Sequence, residues 1–159
     1  MKLYHITNSS PGNQEVRLTE SRIVNPERMS QLIDFRGLCV DGYIYPTDID
    51  GIIEYKDSEY IIFEVKHSGT ETPVGQKLAL KRMADDFAKL GKRVLVLICD
   101  HKVRDAKTPI IAAWCRVREL YFGTDGVWHK PKHDLSMREA VELFHAHTLE
   151  CLKNKEVNT

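Results

Sequence analysis

Two aliphatic runs constrain this chain more than any other feature: Tyr60-Ile61-Ile62-Phe63-Glu64-Val65-Lys66 and Arg93-Val94-Leu95-Val96-Leu97-Ile98-Cys99, separated by one stretch of helical periodicity. Apolar runs of this length without polar alternation read as strands buried on both faces. Between them Gln76, Leu80, Met83 and Phe87 recur at helical spacing, which predicts a helix from about Val74 to Leu90 with Gly91 as its stop. Strand, helix and strand in this order imply a right-handed crossover and parallel pairing. The polar segment Glu54 to Tyr60 follows Gly51-Ile52-Ile53, so a short strand is expected to pair antiparallel with the first run across a turn.

The first run carries two charges where charges are expensive. Period-two alternation puts Glu64 and Lys66 on one face of the strand, and Asp48 and Asp50 of Asp48-Ile49-Asp50-Gly51 share a face at the entrance to the hairpin. A carboxylate and an ammonium in an apolar strand need compensation. A hard cation held by oxygens from Asp50, Glu64 and the Val65 carbonyl would offset the carboxylate. Lys66 could then orient or activate a water, or steady the charge that grows on a phosphate. The competing reading is an ion pair on a solvated edge strand, of small energetic consequence.

The order aspartate, short hairpin, Glu64-Val65-Lys66 resembles the PD-(D/E)XK nuclease superfamily over about half of the chain, roughly residues 25 to 100. The resemblance implies an α/β fold with a restriction-endonuclease-like core, a central mixed β-sheet flanked by helices in αβββαβ order. It implies Mg²⁺ or Mn²⁺ as cofactor, with Asp50 and Glu64 as metal ligands and Lys66 as the catalytic lysine. Pro46 is separated from Asp48 by Thr47, so the family's Pro-Asp pair is absent and both Asp48 and Asp50 stay open as ligands. Gln76 resembles the glutamine that an exonuclease-like subgroup directs at its active site from this helix. The alternative is a glutamine bonded to nearby backbone, and Leu80 stands where that subgroup carries a tyrosine.

Around this centre the chain reads as framework. Asn25 and Pro26 open a helix with Met29, Leu32 and Ile33 on its apolar stripe. Ile110 to Phe122 is β-prone, Val127-Trp128-His129 returns as a short strand, and Ser136 with Glu139 forms a capping box that opens a final amphipathic helix. Leu3 to Thr7 suits an edge strand. The whole of 1–159 is expected to be a single nuclease-like domain, as 42% hydrophobic and 29% charged residues suit one soluble core. His145 and His147 diverge on a helix, and neither they nor the four cysteines have zinc-ligand spacing. The cysteines read as reduced thiols of a cytoplasmic protein, and no apolar stretch reaches membrane-spanning length.

Net charge is zero, but its distribution is uneven: from Asp41 to Glu64 there are seven acidic residues and one basic, and from Gln76 to Lys107 nine basic and four acidic. An acidic edge beside a basic helix suits an enzyme that needs cations to approach a phosphate backbone, although a solvated helix face produces the same pattern. The expectation is a divalent-metal nuclease acting on DNA, with RNA open, working as a homodimer or in a larger nucleoprotein complex. The alternative is a catalytically inactive module of the same fold that binds nucleic acid or protein.

Overall fold

A computed structural model of the chain describes residues 3–6, 16–19, 35, 37–41, 43–105, 107–123 and 125–157. It divides into two compact units, 1–46 and 47–159. In the first, β1 (Leu3–Ile6) pairs antiparallel with β2 (Val16–Thr19), and Val40 and Ile44 bridge across a tight turn. The expected helix opening at Asn25 lies outside the described residues.

The second unit is α/β: a five-stranded mixed sheet in the order β3-β4-β5-β6-β7, with a helix packed on each face. Its elements are β3 (Gly51–Tyr55), β4 (Glu59–His67), α1 (Val74–Lys89), β5 (Arg93–His101), β6 (Arg116–Phe122), β7 (Trp128–His129) and α2 (Met137–Val157). β4 and β5 are parallel and every other neighbouring pair is antiparallel. The seven residues Val94–Asp100 of β5 are all buried, as an unbroken aliphatic run in the centre of a sheet requires. Among the described residues, no helix is long and apolar enough to cross a membrane.

Alternation along β4 divides the core. Ile62 faces α1 and packs with Leu80, Ala84, Val96 and Tyr121. Ile61 faces α2 and packs with Met137, Ala140 and Phe144. Helix α1 buries Gln76, Leu80 and Ala84 most deeply, with Met83 and Phe87 at the rim of the same stripe. It ends on Gly91 at φ 78°, with the Lys92 N–H bonded to the Phe87 carbonyl and the Gly91 N–H to the Ala88 carbonyl, a Schellman closure that only a left-handed residue completes. Helix α2 opens as the capping box predicts: Ser136 N–H and hydroxyl both donate to Glu139, and the Glu139 N–H returns to the Ser136 hydroxyl.

The stretch from Ile110 to Phe122 is not one strand. A single 3₁₀ turn, Ala112–Trp114, precedes β6, because Cys115 must be buried on the α2 side while its carbonyl takes the Met137 N–H.

Candidate active site

The β3–β4 hairpin covers β4 only as far as Phe63, the partner of Gly51. Beyond it no described strand pairs with β4 on that side, and its next outward-facing N–H, that of Val65, has no strand opposite among the described residues. The Asp50 carboxylate takes the place of the missing strand, accepting the Val65 N–H at 2.7 Å. Gly51 makes this approach possible: a Cβ there would meet the Phe63 ring at 2.2 Å, so a larger residue would push Asp50 away from β4. The N–H and C=O of a strand residue point to the same side. The Val65 carbonyl therefore faces the same open edge as Asp50.

Glu64 and Lys66 project from the face of β4 that carries Ile62, the α1 face. Glu64 is 1% exposed. Lys66 Nζ lies 2.5 Å from Glu64 Oε1, whereas Glu64 Oε2 is buried without a hydrogen-bond partner among the described residues. An ionised carboxylate oxygen left in this state is costly, on the order of 1–3 kcal/mol or more, unless a ligand meets it.

Gln76, in the first turn of α1, is buried, and its side-chain amide donates to the Asp48 carbonyl at 3.2 Å. It ties the helix start to the segment that delivers Asp50. Asp48 enters the site through this carbonyl, with its side chain exposed. Asp50, Glu64, Val65, Lys66, Gln76 and the Asp48 main chain thus gather at the C-terminal end of β4.

The oxygen-only set of Glu64 Oε2, the Asp50 carboxylate and the Val65 carbonyl has the chemistry of a hard-cation site. The orphaned, buried Glu64 oxygen is the feature that fits an ion. Among the described residues no three His, Cys, Asp or Glu side chains converge on one point, so main-chain carbonyl or water would have to complete the coordination.

Three residues absent from the sequence reading shape this end of the sheet. The β5–β6 ladder shifts register at Ile98/Cys99, leaving Arg118 as the extra residue of β6. Arg118 reaches the Thr70 carbonyl at 2.6 Å and the Thr72 hydroxyl at 3.3 Å, pinning the loop between Lys66 and α1. Glu119 pairs with Lys77 at 2.6 Å. Arg116 holds the buried Asp100 carboxylate through Nε and Nη2, at 3.3 and 2.9 Å. A bulge has no sequence signature in Arg116-Val117-Arg118-Glu119 that would have singled these residues out.

The basic helix face is largely neutralised within the chain: Lys81 pairs with Asp85, Lys89 with Asp86 and Lys92 with Asp57. Its lysines therefore offer less attraction to a polyanion than their number suggests. The buried thiols are inert, since burial pushes Cys99 up to about 12 and Cys115 up to about 11. No protein-family model, curated protein or solved structure matches the chain.

Proposed function

We propose that this protein is a divalent-metal-dependent nuclease with a restriction-endonuclease-like core, acting on DNA. The observation that carries the proposal is the Glu64 carboxylate: buried, bonded to Lys66 through one oxygen, and without a partner for the other among the described residues. The order of hairpin, α1 and parallel β5 around it supports the resemblance to the PD-(D/E)XK superfamily.

In this reading Glu64, Asp50 and the Val65 carbonyl hold Mg²⁺ or Mn²⁺, which when bound supplies Lewis acidity toward a phosphodiester and a more acidic water. The Val65 N–H orients the Asp50 carboxylate toward the ion. Lys66, partly exposed beside Glu64, extends its ammonium toward the attacking water or the non-bridging phosphate oxygens, where fixed positive charge counts most in the transition state. Gln76 is a positioning residue, holding the Asp48–Asp50 segment against α1.

The alternative, an inactive binding module, draws on the same geometry: Lys66 already bonds one oxygen of Glu64, and the Val65 N–H bonds Asp50, as purely structural contacts would. Cleavage of labelled linear, single-stranded and branched DNA, and of RNA, with Mg²⁺, Mn²⁺ or EDTA separates the two. Metal-dependent products lost in Glu64→Ala support the nuclease. No product on any substrate, together with no Mn²⁺-induced rise in Tm, overturns it in favour of the binding module.

A further inference from the structure

The connection between β5 and β6 encloses a cavity of about 550 Å³ at the same end of the sheet as Glu64 and Lys66, within the roughly 300–1,000 Å³ range of pockets that bury small organic ligands. It starts one strand away from the candidate site. Asp100 and His101 are the register partners of Lys66 and His67, and both line it, so the strand that borders the cavity lies about one strand spacing, ~4.8 Å, from the strand of the candidate site.

One wall is aromatic. Trp114 lines the cavity and is 58% exposed, yet it is not on a loose loop. The turn that carries it is closed by Trp114 N–H to the Ile111 carbonyl and Cys115 N–H to the Ala112 carbonyl, each at 3.0 Å, and is anchored by buried Cys115. A solvent-facing indole on a hydrogen-bonded turn suits a stacking platform. Ile110 and Ile111 extend the apolar wall.

The polar lining is close to charge balance. Arg116 is already engaged by Asp100, and Lys102 and Asp134 add one charge of each sign to the lining. His101 accepts the Val103 N–H at Nδ1, which leaves Nε2 as a donor when the ring is neutral. Arg116 is 53% exposed and meets Asp100 through Nε and Nη2, so Nη1 is without a partner among the described residues. Donors, an acceptor carboxylate and an aromatic face without net charge suit a nucleobase better than a phosphate.

The connection that lines the cavity also carries basic residues. Lys102, Arg104 and Lys107 are exposed on the same connection. Its one interspersed carboxylate, Asp105, is turned onto its own loop by Lys107 N–H and the Thr108 hydroxyl, bonds that hold its pKa below the usual range. Basic side chains on the connection that carries an aromatic, charge-balanced pocket suit a single-strand site, with a base stacked inside and backbone phosphates outside.

We propose that this pocket seats one unpaired nucleobase of the strand whose phosphate lies at Glu64 and Lys66, with Trp114 stacking on the base and Lys102, Arg104 and Lys107 contacting the flanking phosphates. The inference rests on the nuclease reading for its substrate class and deepens it: single strands, flaps and frayed ends are preferred over continuous duplex, whose bases cannot reach the indole without leaving the stack.

The test is binding without catalysis: fluorescence anisotropy of a labelled 12-nucleotide thymidine oligomer and of a blunt 12-base-pair duplex in EDTA, with tryptophan emission recorded in parallel. The chain has two tryptophans, and Trp128 packs on Tyr121, so subtracting Trp114→Phe isolates the Trp114 signal. The oligomer is expected to quench Trp114 and bind about tenfold or more weakly to Trp114→Ala, while Trp114→Phe retains most of the affinity. Lys102→Glu, a change at an exposed position whose folding is checked by an unchanged Tm, is expected to weaken binding and flatten its salt dependence. Unchanged affinity in Trp114→Ala, or equal binding of the blunt duplex without quenching, overturns the pocket. The two readings fail separately. Metal-dependent cleavage by a protein whose binding ignores Trp114 removes the pocket alone, whereas Trp114-dependent binding by a protein that cleaves nothing removes hydrolysis alone.

Discussion

The Asp50 carboxylate accepts the Val65 N–H at 2.7 Å, occupying the position a neighbouring strand would fill. One bond thereby does two things: it satisfies a backbone donor where the hairpin ends, and it brings a carboxylate to the edge of the strand that carries Glu64. The two roles are separable by substitution.

Asp50→Asn keeps an acceptor for the Val65 N–H but loses the charge. Its stability is expected to stay within about 0.5 kcal/mol of wild type, with loss of Mn²⁺-dependent thermal stabilisation and of cleavage. Asp50→Ala is expected to lose both and a further ~1 kcal/mol. Equal Mn²⁺ shifts in wild type and Asp50→Asn, by differential scanning fluorimetry, would remove Asp50 from the metal site.

Lys66→Met leaves the buried Glu64 carboxylate with no cation. In the absence of metal a loss of about 1–3 kcal/mol is expected in urea unfolding at pH 7. Glu64→Gln combined with Lys66→Met is expected to recover most of it, because neither residue then carries a charge into the site. An additive double mutant would mean that the pair is not coupled.

A second buried carboxylate sits at the other end of β4. Glu59 is 1% exposed, with Oε1 3.0 Å from His145 Nδ1 and Oε2 without a partner among the described residues. His145→Ala is expected to destabilise by about 1–3 kcal/mol, and Glu59→Gln in that background to restore part of it. Chemical denaturation of the two variants measures this directly.

The β3–β4 turn places Lys56 and Asp57 at φ 48° and 53°, the left-handed region that disfavours side chains with a Cβ. The Ser58 N–H closes it onto the Tyr55 carbonyl at 2.9 Å. Asp57 has partners in Lys92 and Tyr60, so Lys56 is the position to change. Lys56→Gly is expected to raise stability by a few tenths to about 1 kcal/mol. An unchanged or lowered Tm would show that the turn tolerates the strain.

Burial acts to raise the pKa of Asp85, but hydrogen bonds from Lys81 and Tyr121 outweigh it and hold the carboxyl below its ordinary value. With the folded pKa depressed, this stabilisation is fully present above the unfolded pKa, near 3.9, and is lost as pH falls through the lower folded value. Wild type is therefore expected to lose stability below about pH 4 more steeply than Asp85→Asn. Superimposable acid-unfolding curves by circular dichroism would exclude this contribution.

Local pattern determined much of this protein. The unbroken runs of β4 and β5, the four-three-four stripe of α1, its glycine stop and the Ser136–Glu139 capping box are written in residues close together in the chain, so their hydrophobic period and cap chemistry specify them without tertiary information. The same holds for the shared face of Glu64 and Lys66, since alternation is a property of any strand. What Asp50 touches is different in kind. Its bond to Val65 depends on where the hairpin stops and on the ring of Phe63 lying over Gly51, which are outcomes of register. Likewise Arg118 reaches Thr70 across 48 positions because a bulge displaces it, and Trp114 faces a cavity because Cys115 beside it is drawn into the core. Sequence period dictates which way a side chain points along its own element. Which groups it then meets is decided by packing between elements, where a one-residue shift in register exchanges one set of neighbours for another.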